Sequence, residues 1–235
     1  MPTAKRVPAA NRLLALLPPA DLRRMLAASE SVELTFADVL YEPPASIAVV
    51  YFPTQALISL IMPVDEHSSL EVGLVGDEGM FGVPLSLGVD LSPVRAVVQG
   101  AGAALRMDAA VFCRELRRSD ALQREVKRYT FVQMTQLSQN AACTRFHVVE
   151  ARLARWLLMT QDRVHSNSFH ITQEFLALML GVRRVGVTKA ASSLLKRKLI
   201  HYSRGNITVL DRRGLRSASC GCYKADLDSY ARILG

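Results

Sequence analysis

The chain has 235 residues, enough for one or two domains, and half of them are hydrophobic, so a substantial core can be buried. Aromatic residues make up 6% and charged residues 21%, with no Pro/Gly-dominated or low-complexity tract, which excludes long disorder and collagen-like arrays. The net charge is +8, and its placement says more than its size: residues 145–216 hold 14 Lys/Arg against 4 Asp/Glu, while the rest of the chain holds 15 against 17. Clustered cations gain free energy by releasing counterions condensed on a phosphate backbone, so a polyanion is the natural partner of that stretch. A solvated basic face without a partner is the alternative.

Small helices are expected at residues 11–17 and 21–29, the second with Leu22, Met25 and Leu26 on one side. The apolar cluster Leu13, Leu14, Leu16 and Leu17 is too short for a signal peptide and runs into Pro18 and Pro19, so the chain is expected to stay in a reducing cytoplasm. Residues 33–107 read as strands and turns. The runs 33–41, 47–52, 56–62, 69–75, 94–99 and 103–107 are apolar or alternating, and Pro43-Pro44, Pro53, Pro63, Gly76, Gly79, Gly82 and Gly100 separate them. Residues 43–64 carry no charge, but Pro53, Thr54, Gln55 and Pro63 interrupt the run, which predicts two strands of a hairpin and not a membrane span. Regular short strands of this kind predict an antiparallel barrel or roll.

After Asp108 the pattern becomes helical. Residues 120–143 carry Leu122, Val126 and Tyr129, then Met134, Leu137 and Ala141, at spacings of three and four, with a slip between Tyr129 and Met134. One long helix is predicted, either self-paired across a two-fold axis or packed on its own barrel. A second helix over 148–163 presents Leu153, Trp156, Leu157 and Val164 to the core.

Residues 169–210 carry the strongest signal. Thr172 is a good N-cap, Glu174 lies in the first turn where the helix dipole favours an anion, and Leu176, Ala177 and Leu180 form a core stripe. Gly181 can supply the left-handed residue of a sharp turn between crossed helices. The next helix, about 183–199, buries Val187, Ala190 and Leu194 and leaves Arg183, Arg184, Thr188 and Lys189 outside. Small Ala177, Gly186 and Ala190 are expected to let the two helices approach, so that the basic end of the second can enter a major groove. Residues 199–202 and 207–210 flank Ser203-Arg204-Gly205-Asn206, which predicts a hairpin wing with Arg204 at its tip.

Ile171-Thr172-Gln173-Glu174, Leu180-Gly181, Arg184, Val187-Thr188-Lys189 and Ile207 through Asp211-Arg212 resemble the winged helix-turn-helix of the Crp/Fnr bacterial transcription regulators. Asp38-Val39-Leu40, Tyr51-Phe52-Pro53 and Phe81-Gly82 resemble parts of that family's cyclic-nucleotide-binding-like β-roll, and residues 120–143 fall where its dimerisation helix lies. The resemblance implies an α+β fold: an antiparallel β-roll (jelly roll) over residues 1–118, a dimerisation helix over 119–144 and a winged helix-turn-helix domain over 145–235. It further implies a homodimer on a near-palindromic stretch of double-stranded DNA, with Thr172, Gln173, Arg183, Arg184, Thr188, Lys189 and Arg204 at the DNA and RNA polymerase as a candidate further partner.

The departures from the family pattern are informative too. Nucleotide-binding members place a Gly-Glu pair after the roll's turn, Glu on the ribose hydroxyl, and an Arg farther on for the cyclic phosphate. Here the pair is Gly82-Val83, with Arg95-Ala96 at the phosphate-binding position. Valine accepts no hydrogen bond, so Phe81, Gly82, Val83, Arg95 and Ala96 are expected to line a pocket for an effector other than cyclic AMP. In the recognition helix the family's usual Ser-Arg-Glu reads Arg183-Arg184-Val185.

Cys113, Cys143, Cys220 and Cys222 fit a reducing compartment as ordinary thiols. Cys220-x-Cys222 could ligate a metal, but zinc wants about four ligands and only His201 lies near in sequence, so no metal and no cofactor are expected. No Walker loop, His-Glu-x-x-His, Gly-x-Ser-x-Gly elbow or dinucleotide fingerprint occurs, and His67, His147, His165, His170 and His201 lack motif partners, so no catalysis is expected. The competing reading is a small-molecule-binding protein whose basic segment does not read DNA sequence.

Overall fold

The computed structural model describes residues 11–65 and 68–235; His67 and the first ten residues of the expected roll lie outside them. Helices α1 (Arg12–Ala15) and α2 (Pro19–Ala27) precede two antiparallel sheets. The first contains β1 (Glu30–Leu34), β7 (Gly102–Asp108) and β3 (Val49–Pro53) in that order; the second orders β2 (Val39–Tyr41), β6 (Arg95–Gly100), β4 (Leu57–Pro63) and β5 (Ser69–Val75). Two expectations need correction. The run 33–41 is not one strand: Asp38 Oδ2 accepts from Thr35 N at 3.1 Å in a turn that sends β1 and β2 to different sheets. Strands β3 and β4 are not a hairpin either, since β3 pairs with β7 while β4 pairs with β5 and β6. The Pro53–Ala56 segment thus crosses between the layers of a roll, and both flanking strands are apolar because each faces the shared core.

Helix α3 (Ala109–Arg118) leads to α4 (Asp120–Phe146), which Ser119 caps by accepting from Leu122 N at 3.0 Å. The slip in its apolar stripe is resolved as two faces. Leu122, Val126 and Tyr129 are fully buried in the roll's core, whereas Phe131, Met134 and Leu137 are 54%, 60% and 46% exposed. No described helix is long and apolar enough to cross a membrane.

The C-terminal half holds α5 (Val149–Val164), β8 (Ser168–His170), α6 (Gln173–Leu180), α7 (Arg184–Lys196), β9 (Ile200–Ser203), β10 (Asn206–Val209), α8 (Arg212–Ala218) and α9 (Cys222–Ile233). Strand β8 and the last two helices were not anticipated. The core of this head takes in Ile61 and Val97 of the roll, so the two halves meet along a seam. Polar contacts pin it: Glu71 accepts from Trp156 Nε1 at 2.7 Å, Arg163 Nε donates to Glu78 Oε1 at 2.7 Å, and His165 Nε2 meets Asp77 Oδ2 at 3.0 Å. The Phe36 ring packs edge-on against His170, with centroids 5.6 Å apart.

Candidate nucleic-acid interface

Local chemistry sets the helix-turn-helix. Thr172 Oγ1 accepts from Phe175 N at 3.1 Å and starts α6, whose Leu176, Met179 and Leu180 are buried. Gly181, at φ 58, ends it: Val182 N donates to Ala177 O at 3.0 Å and Gly181 N to Leu178 O at 3.1 Å, the paired bonds of a Schellman stop. A Cβ at Gly181 would also lie 2.8 Å from Leu70 Cδ1 of the roll, so a larger residue would push the end of that side chain aside besides bearing the left-handed backbone. The buried Arg152 guanidinium donates to Leu180 O and satisfies another terminal carbonyl.

Helix α7 buries Val187, Ala190, Ala191 and Leu194 and leaves Arg184, Val185, Thr188 and Lys189 exposed. Arg183 precedes it in extended conformation, and the first turn carries no acidic side chain, so its amides keep their positive potential. Thr188 Oγ1 lies 2.9 Å from Gln173 Oε1 and 3.0 Å from Arg184 O, which ties α7 to the start of α6. The expectation for Gly186 is overturned: a Cβ there would meet nothing within 4 Å, so this glycine faces open space and does not bring the helices together.

The wing forms as predicted, with a third strand. Strands β9 and β10 pair Ser203 with Asn206, and β8 flanks β10 on its other side. Arg204 (φ 48) and Gly205 (φ 79) occupy the two positions of positive φ that a two-residue hairpin turn demands. The arginine therefore sits at the tip in a conformation that costs an L-residue about 1 kcal/mol.

The basic excess divides in two. Arg152, Arg155 and Arg163 are buried at the seam and act within the fold, and Arg197 and Arg212 pair with Glu150 and Asp162 at 2.8 and 2.6 Å. Among the described residues, Arg183, Arg184, Lys189 and Arg204 are exposed and form no salt bridge, in contrast to the paired Arg155, Arg163, Arg197 and Arg212 of the same half.

Between the roll and α4 lies a cleft of about 230 Å³, lined by Leu60, Val72, Leu74, Met80 and Met134 among others and by no charged side chain. Phe81, Gly82 and Val83 belong to its wall. Arg95 and Ala96 do not. Arg95 Nε turns outward to Glu42 Oε2 at 2.6 Å, and Ala96 is fully buried in the sheet between β2 and β4.

The described residues thus form a β-roll, a long linking helix and a winged helix-turn-helix. Residues 151–218 match the family model of the Crp-like helix-turn-helix domain. Among solved structures, FixK2 from Bradyrhizobium japonicum aligns over 82% of this chain and 98% of its own, with a TM-score of 0.69 and 11% identity. The c-di-GMP-responsive global regulator CLP of Xanthomonas campestris aligns over 82% and 99% (TM-score 0.66, 15% identity), and a Crp/Fnr-family transcriptional regulator of Thermus thermophilus over 81% and 98% (0.63, 20%). No curated protein matches the sequence. Residues 151–218 are thus similar to the Crp-like helix-turn-helix domain, and the chain shares its fold with these solved structures.

Proposed function

We propose that this protein is a sequence-specific DNA-binding transcription regulator, acting in the cytoplasm as a homodimer on a near-palindromic operator. The observation that carries the reading is the set of exposed, unpaired cations at one end of α7 and at the wing tip: Arg183, Arg184, Lys189 and Arg204. Helix α7 enters the major groove, Thr172 and Gln173 at the start of α6 contact the backbone, and Arg204 reaches the neighbouring phosphates. Arg184 is the reading residue, donating a bidentate pair to guanine O6 and N7. Val185, 61% exposed, offers only an apolar contact, so the adjacent base is a thymine or is unread.

The exposed Phe131, Met134 and Leu137 face of α4 supports self-pairing, since two copies related by a two-fold axis cover it and set half-sites about 34 Å apart. The roll and linking helix then occupy residues 1–118 and 119–144, and the head residues 145–235. The uncharged cleft, with Val83 in its wall and Arg95 held by Glu42, supports regulation by something other than cyclic AMP. RNA polymerase is a candidate partner on the promoter.

Binding to a pool of random duplexes tests this reading. Selected sites should show inverted symmetry, and affinity should fall steeply with salt. Arg184→Ala should relax the preference at one guanine per half-site by about 1–3 kcal/mol. Equal weakening on selected and random DNA would reduce Arg184 to an electrostatic role.

A further inference from the structure

Four donor side chains that are scattered in the sequence meet at the joint between the long helix and the C-terminal helices. Cys143 lies in the last turn of α4, His147 caps that helix, and Cys220 and Cys222 flank Gly221 in the turn joining α8 to α9. Their ligand atoms all lie within 4.8 Å of one another; Cys143 Sγ is 3.5 Å from Cys220 Sγ, and Cys222 Sγ is 3.5 Å from His147 Nδ1. Ligands on one tetrahedral zinc ion, with bonds of about 2.3 Å to sulfur and about 2.0 Å to nitrogen, stand roughly 3.5–3.8 Å apart. Two of the donor pairs stand at that spacing, and all four donors lie close enough together to meet on a single ion. They are too close to surround a cluster of several metals, and the sulfurs are well beyond the bonded distance of a disulfide, about 2.05 Å.

The surroundings suit a thiolate-rich site. Gln139 Nε2 donates to Cys222 Sγ at 2.9 Å, and the buried Arg155 guanidinium, which donates to Asp226 at 2.7 Å and to Asn140 Oδ1 at 3.0 Å, places positive charge near Cys143. These groups supply the N–H donors and positive charge that three thiolates around one dication need. The thiolate is the form of cysteine that binds metal. All three cysteines are buried, while His147 is exposed and leaves a path of entry. His201, the histidine nearest in sequence to Cys220, is exposed on β9 and is not part of the group.

We propose that Cys143, His147, Cys220 and Cys222 bind one zinc(II) ion per chain in a closed Cys3His site. Three thiolates and an imidazole favour zinc over the hard cations. Each thiol that is still protonated releases its proton to solvent as its sulfur bonds the ion. The ion fastens the end of α4 to the turn before α9, and so fixes how the head is set on the linking helix. This assignment is independent of whether the head reads DNA.

The test uses the full chain, purified under reductant, stripped with a chelator and titrated first with cobalt(II). One equivalent should produce thiolate-to-cobalt charge transfer and the intense visible bands of tetrahedral cobalt, and one equivalent of zinc should abolish them. Because His147 is exposed, His147→Ala leaves the core intact and should weaken zinc binding about tenfold or more with an unchanged circular dichroism spectrum. Cys222→Ser should remove the tetrahedral spectrum, and Cys113→Ser, on α3, should leave it as in the wild type. No tetrahedral spectrum from the folded, reduced wild type would overturn the proposal. So would affinity unchanged in both His147→Ala and Cys222→Ser, or peptide mapping that finds Cys143 and Cys220 joined as a disulfide in the reduced preparation.

Discussion

Replacing Glu71 by Gln should make the protein more stable at pH 8 and nearly unchanged at pH 5. Glu71 stands on β5 of the roll, buried against the head, where it accepts from Ser59 Oγ at 2.6 Å and from Trp156 Nε1 at 2.7 Å. Burial pushes its carboxyl from the ordinary 4.5 up to about 7, against the pull of those hydrogen bonds and of Arg163 and Arg155. Because the folded-state value is raised, the native chain holds a proton through an interval where the unfolded chain has lost it. The stability tied to that proton is complete below pH 4.5 and is lost as pH rises through about 7. At 1.36 kcal/mol per pH unit the interval amounts to about 3 kcal/mol. Glutamine keeps the shape and the acceptor for Trp156 but carries no titrating proton. Trp156 is the chain's single tryptophan, so its fluorescence follows urea unfolding at this seam directly. The wild-type minus variant difference, measured from pH 5 to 8, should change by about 3 kcal/mol. A flat difference, or a variant that loses more stability than the wild type on going to pH 8, would refute the reasoning.

Three other perturbations follow from the same contacts. Arg163→Met leaves Glu78 buried without its cation and should cost about 3–5 kcal/mol in denaturant unfolding, part of which Glu78→Gln in the same chain should restore. Arg204→Gly relieves the left-handed arginine at the wing tip and should stabilise the chain by about 1 kcal/mol, while weakening DNA binding and lowering the salt slope by about one unit in a fluorescence titration. Met134→Asp, on the exposed face of α4, should shift the sedimentation of the chain from dimer to monomer while its circular dichroism spectrum stays that of the folded chain, and its melting temperature should no longer rise with protein concentration.

What was legible in the sequence was what local chemistry decides. The Thr172 cap, the Gly181 stop and the Arg204-Gly205 turn depend on residues within a few positions of one another, and all three stand where the spacing put them. What was hidden depends on partners far along the chain. Apolar β3 and β4 look like hairpin strands because each is buried, and only their pairing with β7, β5 and β6 tells them apart. The slip in α4 marks where the helix changes the partner it faces, from its own roll to the open side. Gly186, beside core positions in the sequence, reads as a contact residue, yet it faces outward. Cys143 and Cys220 lie 77 residues apart, so no motif spacing could join them. Five of the fourteen cations that point to a polyanion, Arg152, Arg155, Arg163, Arg197 and Arg212, are occupied by the fold itself, with Arg155 and Arg163 in buried pairs.

Strand β5 has two readers. Val72 and Leu74 line the apolar cleft, while Leu70 presses on the turn glycine of the helix-turn-helix and Glu71 holds Trp156; Leu70 also shares a groove with Thr172 and Arg183. A stiff strand of seven residues cannot be displaced at one end without being felt at the other. Any molecule that enters the cleft and alters the affinity of the head for DNA must, by thermodynamic reciprocity, find its own affinity altered by the same factor when the head is on DNA. For such a molecule, bound DNA would in turn act as an effector of the cleft.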